Sequence, residues 1–329
     1  VSGGVLVTGV AGFIGFHVAR ALLARGERVI GVDDLNDYYD PALKRARLAA
    51  LGPDIRFVEA DIADHQALAS RLGGEGIDRI VHLAAQAGVR HSIDNPFAYA
   101  RANLVGHLSI LELARALATR SLVYASSSSV YGGNDRLPFS VDDRVDHPVS
   151  LYAATKKADE LMSESYAHLY RLPMTGLRFF TVYGPWGRPD MAVWLFTDAI
   201  LAGRPIRVFN QGRMRRDFTY IDDIVAGVLA SLDRPPVDDG AIKPGGSRAP
   251  HAVYNLGNSR SEELGRLIDV VEAACGRPAV RDHQPMQAGD VVETYADIAA
   301  TTRDLGYAPV KGIEEGVPRF VAWFREQYA

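Results

Sequence analysis

Three groups of residues in this chain have the types and spacing to do chemistry. Tyr152 and Lys156 stand at i and i+4, which puts a phenol and an ammonium on one face of a helix. A cation there favours phenolate, and a phenolate can take a hydroxyl proton while hydride leaves the same carbon. The pattern is short and the chain has 14 tyrosines, so an exposed amphipathic helix would show it as well. Upstream, Leu122-Val-Tyr-Ala-Ser126-Ser127-Ser128-Ser129 is an apolar run that ends in hydroxyls. At the carboxyl edge of a parallel sheet such hydroxyls lie where ligands bind, although a polar turn reads the same way. The third group is glycine-rich: Val5-Leu-Val-Thr-Gly9-Val-Ala-Gly12-Phe13-Ile14-Gly15. One glycine takes a tight turn, another admits a pyrophosphate to the backbone, and the last lets helix and strand pack closely. The helix that follows aims free N–H groups at the phosphates. Asp33 lies 24 residues beyond Gly9, where a carboxylate accepts from the adenosine ribose hydroxyls. No Arg or Lys follows before Lys44, so the expected cofactor is NAD rather than NADP.

These groups need a scaffold that brings them together. Short Val/Ile-rich runs occur at residues 5–7, 29–32, 55–58, 80–83 and 122–125. Segments with helical periodicity, 13–25, 41–51, 65–72 and 96–118, alternate with them, and another run, 175–180, follows a helical stretch at 152–170. Buried strands alternating with helices predict an α/β fold, a doubly wound parallel Rossmann sheet. Beyond residue 180 the alternation loosens into helices at 191–202, 262–274 and 313–324, a strand at 253–256 and a Pro/Gly-rich loop at 234–250. The expected domains are 1–179 for the dinucleotide and a smaller α/β substrate domain, 180–329, with 209–235 returning to the first.

Composition narrows the class further. The 329 residues are 47% hydrophobic and 23% charged, an ordinary globular mix that excludes a largely disordered chain. Lys plus Arg number 36 against 40 acids, a net charge of −4, which offers no basic field for nucleic acid or membrane. No run approaches the roughly 18 apolar residues of a membrane span. The start shows no charged leader, and Cys275 is the only cysteine, so a cytoplasmic protein is expected. The nine histidines show no paired metal-ligand spacing, and no metal is expected.

Together the glycine motif, Asp33, Asp61-Ile62, Leu83-Ala84-Ala85, Asn103, the serine run, Tyr152 with Lys156, and Arg216-Asp-Phe-Thr-Tyr-Ile-Asp222 resemble the extended short-chain dehydrogenase/reductase superfamily. The resemblance lies within its nucleotide-sugar epimerases and dehydratases and spans nearly the whole chain. It implies that Gly9, Gly12, Phe13, Ile14 and Gly15 line the pyrophosphate and that Asp61 and Ile62 hold adenine. It further implies that Leu83, Ala84, Ala85 and Asn103 border the cofactor. Ser127, 25 residues before Tyr152 as in the sugar epimerases, would form a triad with Tyr152 and Lys156. Arg216 would hold a UDP diphosphate. Asp290 would meet the UDP ribose, in a segment where Gln287 replaces the family's usual arginine. Helices 96–118 and 152–170 would build a homodimer interface. Three segments look more narrowly like the UDP-glucuronate 4-epimerases: Asp33-Asp-Leu-Asn-Asp-Tyr-Tyr-Asp-Pro41, Gln86-Ala-Gly-Val-Arg90 and Phe179-Phe-Thr-Val-Tyr-Gly-Pro-Trp-Gly-Arg-Pro-Asp-Met191.

The family's reactions all begin with oxidation of C4 of a nucleotide sugar and then diverge. A dehydratase needs an acid/base pair beside the triad hydroxyl, and the related decarboxylases usually carry Glu just before Val-Tyr-Gly. Here Ser128 and Ser129 stand before Val130-Tyr131-Gly132 and bring no carboxylate. The expectation is therefore 4-epimerisation of a UDP-hexuronate. Arg188, Thr181, Ser128 and Ser129, with Arg90 nearby in sequence pattern, are the candidates for holding substrate and its C6 carboxylate. The plainer reading of Arg188 is a brace against Asp190. A UDP-glucose-type 4-epimerase, a UDP-glucuronate decarboxylase and a non-catalytic NAD-binding sensor or scaffold remain the alternatives.

Overall fold

The computed structural model describes residues 3–286 and 291–328. Seven parallel strands form the main sheet, in the order His251–Leu256, Met174–Phe179, Ser121–Ser127, Ile77–His82, Gly4–Thr8, Val29–Asp33, Arg56–Glu59. Strands Gly4–Thr8, Val29–Asp33, Met174–Phe179 and His251–Leu256 are buried at every residue. Helices cover both faces, which is why these segments read as continuous apolar runs rather than alternating ones. On one face Phe16, Ala19 and Leu22 of helix Phe13–Ala24 share a core with Ile224, Val228 and Leu232 of helix Ile221–Asp233. On the other, Leu68 and Leu72 meet Ile110, Leu111 and Ala114. Strand order reverses between Gly4–Thr8 and Ile77–His82, and the carboxyl ends at such a reversal are where open parallel sheets bind ligands.

The chain recrosses the expected boundary at 179/180. The strand expected at 253–256 is the edge strand of the main sheet, paired in parallel with Met174–Phe179. Helix Ile221–Asp233 covers the same sheet. The remaining segments form a three-stranded sheet of Ser261–Glu263, Arg215–Tyr220 and Thr181–Tyr183, and a pair, Ile206–Phe209 with Arg281–Gln284. Helices Ala192–Leu201, Leu264–Cys275 and Ile313–Tyr328 pack beside them through Trp194, Phe320, Trp323 and Phe324.

Two helices differ from expectation. The segment expected to be helical from 262 begins at Leu264, because Ser261–Glu263 is taken up by antiparallel pairing with Arg215–Asp217. The expected helix at 96–118 is broken into a short helix Pro96–Tyr99, a π-turn Ala100–Val105 and helix Gly106–Ala116. Among the described residues no helix is long and apolar enough to cross a membrane.

Candidate active site

The glycine turn is shaped as a cradle. Gly9 has φ +69°, a left-handed conformation that costs other residues, and a Cβ there would come within 2.7 Å of Ala84 N. A Cβ on Gly15 would collide with Gly9 O. Helix Phe13–Ala24 starts at Gly12 with no side-chain cap, so its first N–H groups face outward without a partner from the cap residue. At the end of the neighbouring strand, Asp33 accepts from Ala11 N at 3.1 Å through Oδ2 and from Leu35 N at 3.0 Å through Oδ1. Burial raises its carboxyl above the usual range, and those N–H groups oppose the shift. Lys44 is tied to Asn36, donating to its O at 2.7 Å and Oδ1 at 2.9 Å. An anion cradle beside a buried carboxylate fits NAD.

The next strand over supplies Leu83, Ala84 and Ala85, with Ala84 N donating to Thr8 Oγ1 at 3.2 Å. Asn103 lies in the π-turn and is buried. Its Oδ1 accepts from Gln86 N at 2.8 Å, and its Nδ2 donates to Gln86 O at 3.2 Å and Thr155 Oγ1 at 2.9 Å. The wider turn thus hooks the cofactor-side loop to the helix that carries Tyr152 and Lys156. Asp61 is bound by Arg101 Nε at 3.0 Å and Nη2 at 2.6 Å, and also accepts from Ala63 N. Ile62 is buried against Gly106, where a Cβ would come within 2.6 Å of Ile62 Cδ1.

Helix Leu151–Tyr170 begins at Ser150, whose Oγ accepts from Ala153 N at 3.1 Å. This cap puts Tyr152 in the first turn, partly buried, with its ring edge-on to Tyr99 at 6.1 Å. One turn on, Lys156 is buried and donates from Nζ to Ala125 O at 2.9 Å and Asp159 Oδ2 at 3.0 Å. Strand Ser121–Ser127 sorts the serines by alternation. Ser126 Oγ donates inward to Glu160 Oε1 at 2.6 Å, and Arg178 holds both oxygens of that carboxylate at 2.8 and 2.9 Å. Burial alone would raise the Glu160 carboxyl, but Arg178 and Ser126 bring it down to about 2. Ser127 faces the other way and accepts from Ser129 N at 3.1 Å.

Ser128, Ser129, Thr181 and Arg216 line one cavity, along with Val89, Gly132, Ser150 and Thr294. Arg216 Nη1 donates to Arg215 O at 2.8 Å and Val292 O at 3.1 Å. The guanidinium of Arg90 lies 4.9 Å over the Phe209 ring. Asp217, next to Arg216, braces the backbone, accepting from Asn258 N at 2.6 Å, Ala296 N at 3.2 Å and Thr219 Oγ1 at 3.1 Å. Burial pushes its carboxyl up to about 6 against those donors. Asp290 lies outside the described residues.

Arg188 is not among the residues lining that cavity. It is paired with Asp190, Nε to Oδ1 at 3.0 Å and Nη2 to Oδ2 at 2.5 Å, and Tyr38 OH donates to the same carboxylate at 3.1 Å. A Cβ on Gly88 would press on Tyr38 OH. The three segments of the narrower resemblance therefore meet at Tyr38, Gly88 and Asp190. Sequence reasoning missed Tyr38 and Arg47, which carry no local signal. Arg47 is fully buried and donates to Ala11 O at 2.9 Å, Trp186 O at 2.7 Å and Gly187 O at 3.1 Å, fastening the glycine turn to the loop before Arg188. It also missed Asp159, although its i+3 spacing from Lys156 was readable.

The chain is also similar to known proteins. Over 331 residues the chain is 48% identical to a probable UDP-glucuronate 4-epimerase of Rhizobium meliloti, covering 98% of this chain and 97% of that one. It is 46% identical to UDP-glucuronate 4-epimerase 1 of Arabidopsis thaliana, covering 99% of this chain and 78% of the relative. A UDP-glucuronic acid 4-epimerase from Bacillus cereus, solved with UDP-glucuronic acid and NAD, superposes with a TM-score of 0.88 at 30% identity, covering 99% of this chain and 100% of that one. Residues 5–257 match the NAD dependent epimerase/dehydratase family, and with the cradle, the Tyr–Lys helix and the parallel sheet all in place, the chain belongs to that family.

Proposed function

We propose that the chain is an NAD-dependent 4-epimerase that interconverts UDP-glucuronate and UDP-galacturonate. The observation that carries this reading is the cavity wall of Ser128, Ser129, Thr181 and Arg216, which presents hydroxyls and a guanidinium and, among the described residues, no carboxylate. Such a wall suits a substrate that is itself an acid. Relatives at 46–48% identity carry the same activity in their names.

Bound NAD supplies the oxidation and reduction at C4. Ser127, oriented by Ser129 N–H, positions the C4 hydroxyl, and Tyr152 takes its proton under the influence of the Lys156 ammonium. Lys156 has three donors, and Ala125 O and Asp159 occupy two of them, leaving one for the reaction site. The keto sugar must then turn over within the cavity so that its other face meets the cofactor, and Tyr152 returns the proton. This intermediate is a β-keto acid that readily loses CO₂. The hydroxyls of Ser128, Ser129 and Thr181 hold its carboxylate away from the orientation in which the C–C bond breaks. Arg216 holds the diphosphate, and Asp290 the ribose.

The reading extends to a cytoplasmic homodimer. Phe97, Leu108, Leu161 and Leu169 lie exposed on the segments expected to pair, and the buried, unpaired Cys275 suits a reducing compartment. Functionally the chain divides into a cofactor part, 1–179 with helix Ile221–Asp233 and strand His251–Leu256, and a substrate-binding remainder.

The test is to incubate the purified protein separately with UDP-glucuronate, UDP-glucose and UDP-xylose and identify products by NMR. UDP-galacturonate should form from the first, with no net NADH. Turnover of UDP-glucose alone, or release of CO₂ as the main outcome, would overturn the assignment. Tyr152→Phe should lower the rate by ~10²–10⁴.

A further inference from the structure

We propose that Asp159 is a positioning residue for the proton-transfer pair: its buried carboxylate fixes the Lys156 ammonium and offsets part of the positive charge beside Tyr152. This rests on the assignment of Tyr152 and Lys156 made above. The carboxylate meets Lys156 Nζ at 3.0 Å through Oδ2, and the two side chains are 4% and 1% exposed, so water does not screen the contact. Its other oxygen, Oδ1, is buried and has no hydrogen-bond partner among the described residues. A structural ion pair is expected to have its remaining lone pairs satisfied. The Asp159 charge is thus directed at one neighbour, the Lys156 ammonium.

Every nearby element leaves Lys156 as the cation that Asp159 answers. On its own helix Asp159 also faces Glu160, but that carboxylate is committed to Arg178 of strand Met174–Phe179. Lys157 is turned toward Glu160 at 3.4 Å. From strand Ile77–His82, His82 is pushed down to about 3 by burial and by Lys156, and from helix Gly106–Ala116, His107 is held well below its usual value by burial. Both are neutral at physiological pH. Tyr124 of strand Ser121–Ser127 is kept a neutral phenol by burial. Burial pushes the Asp159 carboxyl itself up to about 6, against the pull of Lys156. Each change in its charge alters the field that Lys156 presents to Tyr152. Both groups act on one ammonium, so removing the Asp159 charge strengthens the pull of Lys156 on a negative charge at Tyr152.

The experiment compares wild type with Asp159→Asn, which keeps an acceptor for Lys156 and removes the charge. The readouts are kcat/KM for UDP-glucuronate against pH and the ultraviolet titration of the phenolate, with Tyr152→Phe as the blank. In Asp159→Asn the acid limb and the phenolate midpoint should both move down by about one pH unit and steepen to a single-proton form. An unmoved profile with only a lowered melting temperature would show a structural ion pair and overturn the proposal. The wild-type titration tests the same coupling without any substitution at this position. A limb broader than one proton supports it, and a single-proton limb overturns it. If Tyr152→Phe turned over normally, the proton-transfer reading itself would fail. A crippled Tyr152→Phe beside an unmoved Asp159→Asn fails the Asp159 role alone.

Discussion

Ser126 and Ser127 occupy opposite sides of one strand, and that decides which of them can meet a substrate. Ser126 is bound into the Glu160–Arg178 pair, whereas Ser127 is held by Ser129 N–H. The same kind of division applies to the residues expected on a C6 carboxylate. Ser128, Ser129 and Thr181 share a cavity, while Arg188 is engaged by Asp190 and, through it, by Tyr38. These two groups predict different kinetics. Thr181→Val and Ser129→Ala each remove a hydroxyl that would donate to a charged group, a contact of about 1.5–3 kcal/mol, or roughly ten- to hundredfold in kcat/KM for UDP-glucuronate. UDP-glucose, which lacks the carboxylate, should change only a few-fold. Arg188→Ala should instead lower both sugars alike, because it releases the Asp190 brace. Product analysis under matched turnover checks this, and selective damage to UDP-glucuronate by Arg188→Ala would return that arginine to the carboxylate.

Helix Leu151–Tyr170 shows how one element serves several tasks at helical spacing. Its Ser150 cap sets the first turn, Tyr152 in that turn is partly buried, and Thr155, Lys156, Asp159 and Glu160 are buried behind it. The π-turn Ala100–Val105 is its counterpart, since a regular helix there would not carry the Asn103 hook to both Gln86 and Thr155. Asn103→Ala leaves the part-buried Gln86 N–H and Gln86 O without that partner. It should cost about 1–3 kcal/mol of stability by urea unfolding. NAD affinity should fall with it, because the loop carrying Ala84 and Ala85 loses its tether. Unchanged stability and affinity would mean that the π-turn is incidental.

For the molecule as a whole, long-range contacts join what the chain separates. Arg47 ties the glycine turn to residues 186 and 187, and Tyr38, Gly88 and Asp190 converge from three distant segments. The exposed apolar side chains of Leu108 and Leu161, 42% and 59% exposed, lie on helices Gly106–Ala116 and Leu151–Tyr170, which pack together. If a second copy covers them, Leu161→Glu places a charge in that interface and should shift the protein from dimer to monomer in sedimentation velocity. Its fold should be unchanged by circular dichroism. A mass unaltered by Leu161→Glu would remove that face from consideration as the dimer contact.

The sequence by itself determined the features that depend on near neighbours. Buried strands show as Val/Ile runs, and the glycine turn shows as spacing because only glycine fits its left-handed φ and close approaches. Tyr152 and Lys156 share a helix face at i and i+4 wherever that helix sits, and the absence of a carboxylate at Ser128 and Ser129 is a matter of composition. Even Asp159 was within reach of the same periodicity. Tertiary structure alone decided the rest. Residues 253–256 read as an isolated strand, yet only pairing with Met174–Phe179 makes His251–Leu256 the edge of the main sheet. The break at Ala100–Val105 answers to partners on other elements, so helical periodicity through 96–118 could not reveal it. Arg188 could equally have met a substrate or Asp190, and only the tertiary structure brings the Asp190 pair under a Tyr38 hydroxyl from 152 positions away. Local pattern fixes which faces an element presents, whereas the partner that each polar group finds depends on contacts between residues far apart in the chain.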